Sequence, residues 1–363
     1  MSIGIKAPCK YSQGKGELGK LGLNVKKMGN KFFLLCTANT RKRVGEIMEE
    51  SLKSVEKEYI FCDFNGECSK AEISRVMEEF EKAGCDVMVG AGGGKVIDTA
   101  KAAAENLGGK PVVIIPTVAS NDAPCSGVAV IYNEEGVVVK ALLTKKNPDL
   151  VLVDTDIIAH APARLLVAGM GDALATWFET RACKRSGAKN MARGLCSNTA
   201  YMMSKLCYDL LIQDGVAALE AVKRQEADEH LENVVEASIY LSGVGFESGG
   251  LAAAHAVNDG FAYVPAAHGM YHGEKVAYGL LVQLLLEKAP QSEWDEVFGF
   301  CKAVGLPTKL ADLGVTEVKE EEIRKVAEAA CVPTQSTKNV RADITPEEVY
   351  EAIMKVDEIG RKG

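Results

Sequence analysis

The composition of the 363-residue chain sets its broad class. This length exceeds a single ordinary core and favours two domains. Hydrophobic residues make up 47% and charged residues 25%, values typical of a soluble globular protein. A net charge of −8 argues against binding to nucleic acid or to an anionic membrane surface. No apolar run approaches the ~20 residues needed to span a bilayer.

The cysteines and the N-terminus indicate the cellular compartment. None of the eleven cysteines forms a C-x-x-C pair, and a chain this long does not need disulfide bonds to fold, so we expect reduced thiols. The opening segment, MSIGIKAPCKYSQGKG, has no apolar signal core. Both observations predict a cytoplasmic protein.

Short apolar runs alternate with helical patterns over residues 1–160, which predicts a mostly parallel sheet covered by helices. Ser69, followed by Glu72 three residues later, predicts a capping box at the start of one helix. Strands are predicted at 31–37, 58–64, 111–117 and 148–158 and at the start of 85–94, with a hairpin over 127–143.

The pattern changes near Ala161. Residues 162–360 are almost wholly helical in pattern, with long Ala- and Leu-rich stretches and breaks at 305–308 and 331–345. We therefore predict an α/β N-terminal domain at 1–161 and an all-α C-terminal domain at 162–363.

The segment GAGGGKVID, residues 90–98, follows a predicted strand and opens a predicted helix. Glycine lets the backbone approach a ligand closely, and the free N–H groups of a helix N-terminus attract anions. A pyrophosphate would suit this turn, which indicates a dinucleotide. The spacing is neither G-x-G-x-x-G nor a Walker loop, so a tight turn that binds nothing remains the alternative.

A second polar loop, PTVASNDAPCSG at 116–127, follows the next predicted strand. Loops at the carboxyl ends of parallel strands form the ligand crevice of open α/β sheets. Thr117 and Ser120 offer uncharged hydrogen-bonding groups there, and Asp122 offers a carboxylate. A plain turn before Pro124 is the alternative, but two such loops in one sheet favour a nucleotide site.

Three of the five histidines fall between His255 and His272, and Asp172 lies far upstream in GMGDALATWFE. Pro265 interrupts the chain between the two outer histidines, which places them on successive helices. Two imidazoles and one carboxylate suit a divalent metal with an open coordination position, as in catalytic sites. Ordinary surface or core histidines are the alternative, and His268 could be a ligand, a substrate contact or neither.

Carboxylates near these residues could orient the histidine rings. Glu247 and Glu274 flank the predicted site and are candidate acceptors for the ring N–H groups, although surface carboxylates are their ordinary interpretation. In the helical pattern around Asp172, Thr176 and Glu179 fall on or near the same face, at i+4 and i+7.

Six segments carry a dense resemblance to one family. They are FNGECS, GGGKVIDTAKA, PTVASNDAPCS, PARLLVAGMGDALATWFE, YLSGVGFESGGLAAAHAV and YHGEKVAYG. Together they resemble the glycerol dehydrogenases, a branch of the metal-dependent (iron-containing) alcohol dehydrogenase superfamily. The resemblance implies an NAD-binding α/β domain, a helical metal- and substrate-binding domain, and an active site in the cleft between them, an architecture shared with dehydroquinate synthases. It also implies interconversion of glycerol and dihydroxyacetone with NAD and zinc, in a large homo-oligomer such as an octamer.

Site residues follow from the resemblance position by position. Asp172, His255 and His272 match the metal ligands. His255 and Asp122 are the expected catalytic residues, with Asp122 near the substrate hydroxyls. The positions that match the cofactor site are Gly93, Gly94, Lys95, Asp98 behind the turn, Thr117, Ser120, Ser126, Val128 and Tyr132.

Two positions depart from what the resemblance implies. The family usually has an Asp after the strand at 31–36, where it holds the adenosine ribose. Here that cofactor position is Thr37, followed by Arg41, Lys42 and Arg43. An acid there repels a 2′-phosphate, so its loss makes NADP an alternative to NAD. Members that use iron tend to have an extra His four residues after the metal Asp. Thr176 stands there, and three protein ligands favour zinc.

The resulting hypothesis is oxidation of glycerol, or of a related vicinal diol, with the metal as a Lewis acid and the nicotinamide as hydride acceptor. The expected partner is a small-molecule substrate, with no nucleic acid and no membrane. A dehydroquinate-synthase-like lyase or a glycerol-phosphate dehydrogenase would need a basic cluster, but Arg164 and Arg181 are the only arginines near the site segments. A non-catalytic nucleotide-binding protein is the third possibility, and the three plausible ligands argue against it.

Overall fold

The computed structural model describes residues 2–133, 136 and 138–362. The chain forms two compact units. The N-terminal unit comprises Lys6–Pro162 and Ala221–Val235, and the C-terminal unit comprises Met1–Ile5, Ala163–Glu220 and Glu236–Gly363. The domains 1–161 and 162–363 stay a prediction; residues 221–235, assigned to the second of them, pack with the N-terminal unit.

The N-terminal unit is built on a parallel sheet. Its strands, in chain order with the two strands of a separate hairpin, are β1 (Tyr11–Gly14), β2 (Lys31–Cys36), β3 (Glu58–Asp63), β4 (Val87–Gly92), β5 (Val112–Pro116), β6 (Val128–Tyr132), β7 (Val138–Leu143) and β8 (Leu150–Asp154). Among the described residues, six strands form the parallel sheet in the order β1-β8-β5-β4-β2-β3, and β6 pairs antiparallel with β7. The predicted α/β class is confirmed.

The helices account for most of the remaining chain. They are α1 (Leu21–Val25), α2 (Ala38–Lys53), α3 (Lys70–Lys82), α4 (Gly94–Asn106), α5 (Thr155–Ala159), α6 (Ala163–Ser186), α7 (Asn198–Lys223), α8 (Glu229–Val235), α9 (Ser242–Gly249), α10 (Ala253–Gly260), α11 (His272–Glu287), α12 (Gln291–Val304), α13 (Glu320–Ala330) and α14 (Pro346–Lys362), with a π-helical segment at Glu236–Leu241. Within the described ranges, every helix is too short or too polar for a membrane span.

Two local predictions differ from the structure. The strand predicted at 148–158 ends at Asp154, because the Asp154 carboxylate accepts a hydrogen bond from the Asp156 N–H and caps α5. Ser69 does cap α3, but Glu72 accepts from Asn65 instead of closing the capping box. Glu134, Glu135 and Val137 of the predicted hairpin lie outside the described residues.

The sheet core follows from the apolar runs of its central strands. β2 reads KFFLLC and is buried along almost its whole length, as expected of a strand in a covered parallel sheet. Phe32 and Leu34 of β2 pack with Val89 of β4 and with Met48 and Leu52 of α2 in one buried cluster. This packing fixes where the strands end, and the candidate cofactor loops begin at those ends.

The carboxyl ends of β2 and β4 lie side by side at a topological switch point. β2 pairs in parallel with β3 on one side and with β4 on the other. The chain leaves β2 towards β3 and leaves β4 towards β5, so the two connections diverge. Ligands of open α/β sheets bind in the crevice where such connections diverge. Thr37 follows β2 there, and Gly93 follows β4.

The C-terminal unit is helical, with α6 and α11 in its interior. Every residue of α6 from Leu166 to Thr180 is buried, and so is every residue of α11 from Val276 to Leu284. A helix buried on all sides must satisfy or pair any polar side chain it carries. The polar residues of α6 and α11 are therefore informative about function.

Candidate functional site

The C-terminal unit brings together Asp172, His255 and His272. Asp172 lies in α6, His255 in α10, and His272 is the first residue of α11. The Asp172 Oδ1 atom is 3.2 Å from His272 Nε2 and 3.5 Å from His255 Nε2. One ligand atom from each residue lies within 4.8 Å of the others.

Glycines next to Asp172 and His272 allow this approach. A Cβ at Gly171 would lie 2.5 Å from the Gly273 carbonyl oxygen, and a Cβ at Gly273 would lie 1.8 Å from the Ala168 carbonyl oxygen. The backbones of α6 and α11 therefore touch beside Asp172 and His272. The sequence shows a glycine beside Asp172 and another beside His272, whereas His255 has an alanine on either side.

Gly273→Ala is expected to push α6 and α11 apart and to lower the free energy of unfolding by about 1–3 kcal/mol. It should also weaken metal binding, because His272 precedes this residue. The matched control is Gly299→Ala in α12, where a Cβ meets nothing within 4 Å. Chemical denaturation should show the control equal to the wild type or more stable by up to about 1 kcal/mol. Equal stability of the two variants would contradict the close-packing explanation.

The electrostatics of the cluster favour a cation at its centre. The side chains of Asp172, His255 and His272 are 1%, 13% and 44% exposed, so the open side is at His272. Burial by itself raises the pKa of the Asp172 carboxyl, but the two imidazoles outweigh burial and hold that pKa below its usual range. Burial lowers the pKa of His255, yet Glu179 and Asp172 outweigh it and raise the pKa well above its usual value.

Glu179 orients the His255 ring. Its Oε2 accepts a hydrogen bond from His255 Nδ1 at 2.6 Å. A carboxylate only accepts, so Nδ1 carries the proton and the lone pair of neutral His255 lies on Nε2, towards Asp172. The sequence pointed to Glu247 and Glu274 for this role. Glu274 instead pairs with Arg164, at 2.6 Å from the guanidinium Nε.

These residues fit a divalent metal ion. Ligand atoms about 2.1 Å from a tetrahedral zinc are roughly 3.4 Å apart, and the carboxylate-to-imidazole distances of 3.2 and 3.5 Å match that spacing. The fully buried Asp172 and the half-exposed His272 leave one side open, as in catalytic zinc sites.

Two further positions lie outside the cluster. His268 is exposed, and its Nε2 lies 2.9 Å from the Ala262 carbonyl oxygen. Thr176 is fully buried on α6, and its hydroxyl is 2.8 Å from the Ser242 hydroxyl. His268 does not belong to the group of donor atoms around Asp172.

In the N-terminal unit, the turn between β4 and α4 forms an open cradle. Gly93 precedes α4 with φ −87° and ψ −176°, a conformation open to any residue. The nearest described atom to a Cβ built at Gly93 is Val118 Cγ2, at 3.8 Å, whereas a Cβ at Gly94 would lie 3.1 Å from Asn121 Nδ2. Packing does not require glycine at 93, so its lack of a side chain keeps space free beside the α4 N–H groups, as a pyrophosphate needs.

Lys101 is a buried residue that sequence reasoning missed. Its side chain is 2% exposed, and its Nζ donates to the carbonyl oxygens of Ala123, at 2.9 Å, and of Val128. Nζ also lies 2.9 Å from Asp98 Oδ1, and Asp98 Oδ2 accepts from the Val130 N–H at 3.0 Å. Asp98 and Lys101 therefore tie the loop after β5 to α4, behind the glycine turn.

The loop after β5 carries four of the predicted residues. The Thr117 N–H donates to the Gly92 carbonyl oxygen at 3.1 Å, which joins the start of the loop to the end of β4. Ser126 is 1% exposed and donates within the loop. Asp122 is buried and Ser120 is half-buried. The loop thus begins beside the glycine turn, at the carboxyl edge of the sheet.

Val128 and Tyr132, two further predicted cofactor residues, lie on β6. Burial raises the pKa of Tyr132 to about 12, which keeps its hydroxyl protonated. The Lys95 Nζ lies 5.5 Å from the Tyr132 ring and 2.6 Å from Glu67 Oε2. Lys95 is thus paired within the protein, and its contact with a cofactor stays a prediction.

Thr37 lies at the switch point and caps α2, where its hydroxyl accepts from the Thr40 N–H at 3.1 Å. A cavity of about 500 Å³ opens beside the first turns of α2, and Arg41, Lys42 and Asp63 are among its lining residues. Positively and negatively charged side chains therefore both lie near the position where the family usually has an acid.

The chain is similar to known proteins along almost its whole length. Residues 8–155 match the family described as iron-containing alcohol dehydrogenase. The chain is 46% identical over 358 residues to a glycerol dehydrogenase of Escherichia coli, covering 99% of this chain and 97% of the relative. It is 46% identical over 355 residues to that of Thermotoga maritima, covering 98% and 96%. The crystal structure of a probable glycerol dehydrogenase from Sinorhizobium meliloti is similar with a TM-score of 0.94 and 40% identity, covering 100% of both chains.

Proposed function

Because the chain belongs to the iron-containing alcohol dehydrogenase family, and is therefore an oxidoreductase, we propose that it interconverts glycerol and dihydroxyacetone. Oxidation removes a hydride from the carbon that bears the substrate hydroxyl, and the hydroxyl proton leaves to solvent. A bound nicotinamide dinucleotide would supply the hydride acceptor. The observation that carries the proposal is the convergence of Asp172, His255 and His272 in a chain so similar to glycerol dehydrogenases.

Each residue of the site has a proposed role. Asp172, His255 and His272 would hold one divalent metal ion, which supplies Lewis-acid polarisation of the substrate hydroxyl when bound. The buried Asp172 carboxylate supplies the negative charge, and Glu179 keeps Nε2 of His255 available. The half-exposed His272 lies at the open side. Asp122 is proposed to contact the substrate hydroxyls, as the family resemblance implies.

We propose zinc as the resident metal. Thr176 occupies the position where iron-using relatives tend to have a fourth protein ligand, and its hydroxyl pairs with Ser242. Three protein ligands and one open position are typical of catalytic zinc. Elemental analysis of the purified protein should find about one zinc per subunit.

We propose NAD as the hydride carrier, with NADP as an accepted alternative. The glycine turn before α4 would bind the pyrophosphate, and the switch point at Thr37 would receive the adenosine ribose. A neutral Thr37 followed by Arg41 and Lys42 does not repel a 2′-phosphate. A single substitution at position 37 should therefore change the preference between NAD and NADP.

Thr37→Asp is expected to lower kcat/KM with NADP at least about tenfold, because charge repulsion disfavours the 2′-phosphate, and to leave NAD use intact or improved. Asp is as good a helix N-cap as Thr, so α2 should be preserved. The check is kcat/KM with each cofactor at saturating glycerol. An unchanged ratio between the two cofactors would remove Thr37 from the ribose site.

In the part of the chain that the structure describes, the arginines considered for a phosphate in the lyase and glycerol-phosphate alternatives are both paired with carboxylates. Arg164 forms an ion pair with Glu274, and Arg181 pairs with Glu287 and Glu293 at 3.1 and 2.6 Å. Both arginines lie on α6, the helix that carries Asp172. A phosphorylated substrate would have to break these pairs.

A homo-oligomer in the cytoplasm is also proposed. The family resemblance implies a large assembly, and α7 exposes Met202 and Leu206 one turn apart. Light scattering coupled to size-exclusion chromatography measures the number of subunits.

The proposed activity is tested with a substrate and cofactor panel. Protein of measured zinc content is incubated with NAD or NADP and with glycerol, propane-1,2-diol or glycerol phosphate, and the absorbance of the reduced cofactor is recorded. The expected result is turnover of vicinal diols and none of glycerol phosphate. A zinc-loaded protein that reduces neither cofactor with any diol would refute the proposal.

A further inference from the structure

The helix that carries His255 is capped by side chains from the other two helices of the cluster. Within the described residues, α10 has no capping side-chain hydrogen bond from its own N-cap residue, Ala252. Glu179 of α6 accepts from the N–H groups of Ala252 and His255 at 2.8 and 3.0 Å. Gln283 of α11 accepts from the Ala254 N–H at 3.0 Å. Buried N–H groups require partners, so α6 and α11 together fix where α10 begins.

The two oxygens of Glu179 have different roles. Oε1 accepts the two backbone hydrogen bonds, and Oε2 accepts from Nδ1 of the His255 ring at 2.6 Å. The side chain is fully buried and lies two turns after Asp172 on the same helix. One carboxylate therefore sets the position of α10, the orientation of the His255 ring and the tautomer of that ring.

We propose that Glu179 is the positioning residue of the metal centre, holding His255 with its Nδ1 protonated and its Nε2 lone pair directed at the ion. This inference rests on the proposed function, since it concerns the same metal. Glu179 is outside the three-residue donor cluster and acts through His255. A carboxylate behind a metal-binding histidine fixes its tautomer and strengthens the ligand.

Glu179→Gln distinguishes the effect of Glu179 on the His255 tautomer from its effect on the position of α10. Glutamine has nearly the same shape, but it carries one oxygen and one NH₂ group in place of two acceptors. When its oxygen stays on the two backbone N–H groups, its NH₂ faces Nδ1 of His255 and requires Nδ1 to accept. The ring proton then moves to Nε2, where it has to be displaced before a metal can bind. The opposite orientation would place NH₂ against backbone N–H groups and uncap α10.

The test measures zinc affinity of the full-length protein by competition with a chromogenic chelator. Glu179→Gln is expected to bind zinc about 10- to 100-fold more weakly than the wild type. The melting temperature of its metal-free form should stay close to that of the wild type. The matched control is Gln283→Met, which removes a cap from the same helix without touching His255. It should lower the melting temperature and keep wild-type zinc affinity.

The outcomes separate this inference from the proposed function. Equal zinc affinity of Glu179→Gln and the wild type would overturn the positioning role, and so would an equal loss of affinity in Gln283→Met. A wild type that binds no divalent metal would overturn the proposed function itself. If Glu179→Gln does not fold, nitrogen-15 NMR spectra of the zinc-loaded wild type test the positioning role instead. They should show the His255 proton on Nδ1, and a proton on Nε2 would contradict the proposal.

Discussion

Replacing His272 with alanine is expected to lower kcat for glycerol oxidation at least about a thousandfold, because metal-ion catalysis contributes several kcal/mol. His272 begins α11 and its side chain is 44% exposed, so the fold should tolerate its truncation. The loss should therefore arise from the metal centre and not from unfolding. Zinc content and kcat, measured on the same preparation, should fall together.

The matched control for this variant is His268→Ala. His268 is also exposed and lies four residues upstream, but its ring contacts only a backbone carbonyl oxygen among the interactions described. We expect wild-type zinc content and kcat. A His272→Ala enzyme that retains both zinc and turnover would remove this residue from the ligand set, and a large loss in His268→Ala would assign that histidine a role at the site.

Gly93→Asp is expected to weaken cofactor binding at least about a hundredfold while the protein stays folded, since like charges brought together cost several kcal/mol. Asp is a favourable N-cap and complements the positive end of α4, so the melting temperature should equal or exceed that of the wild type. The same carboxylate would occupy the space in which the pyrophosphate should lie. Cofactor affinity is measured by fluorescence titration with NADH.

Gly93→Ser distinguishes the effect of an added charge on cofactor binding from the effect of an added side chain. Serine also caps a helix well but adds no charge, so its effect on NADH affinity should be much smaller than that of aspartate. Wild-type NADH affinity in Gly93→Asp would show that the pyrophosphate lies elsewhere. A severe loss of thermal stability would show that Gly93 serves packing.

The parallel sheet could be predicted because its central strands are continuous apolar runs, such as KFFLLC at 31–36. β1 could not be predicted. Its sequence, YSQG, is short and polar, and it becomes a strand by pairing Tyr11 with Val151 far along the chain. Local patterns carry no information about such a distant partner.

The sequence likewise cannot show that residues 221–235 pack with the N-terminal unit, because their helical pattern resembles that of their neighbours. The structure supplies the reason in Glu232, whose carboxylate accepts from Gln13 Nε2 at 2.7 Å and from the Thr155 hydroxyl. These contacts join α8 to the end of β1 and to the start of α5, directly after β8. Polar contacts between distant segments leave no periodic signal.

Asp172, His255 and His272 could be predicted as metal ligands because histidine is rare in this chain. Their proximity in the structure, however, depends on tertiary packing. Gly171 and Gly273 bring α6 and α11 into backbone contact, and a glycine in a helical pattern does not reveal its neighbour. For the same reason, the sequence could not show which carboxylate accepts a hydrogen bond from the His255 ring. The sequence pointed to Glu247 and Glu274, whereas helix packing places Glu179 there.

The most direct measurement is turnover by protein stripped of metal with a chelator and then titrated with zinc in the presence of NAD and glycerol. Activity should be absent in the stripped protein and should rise in proportion to zinc until about one ion is bound per subunit. Full turnover by protein that holds almost no metal would contradict the role assigned to Asp172, His255 and His272.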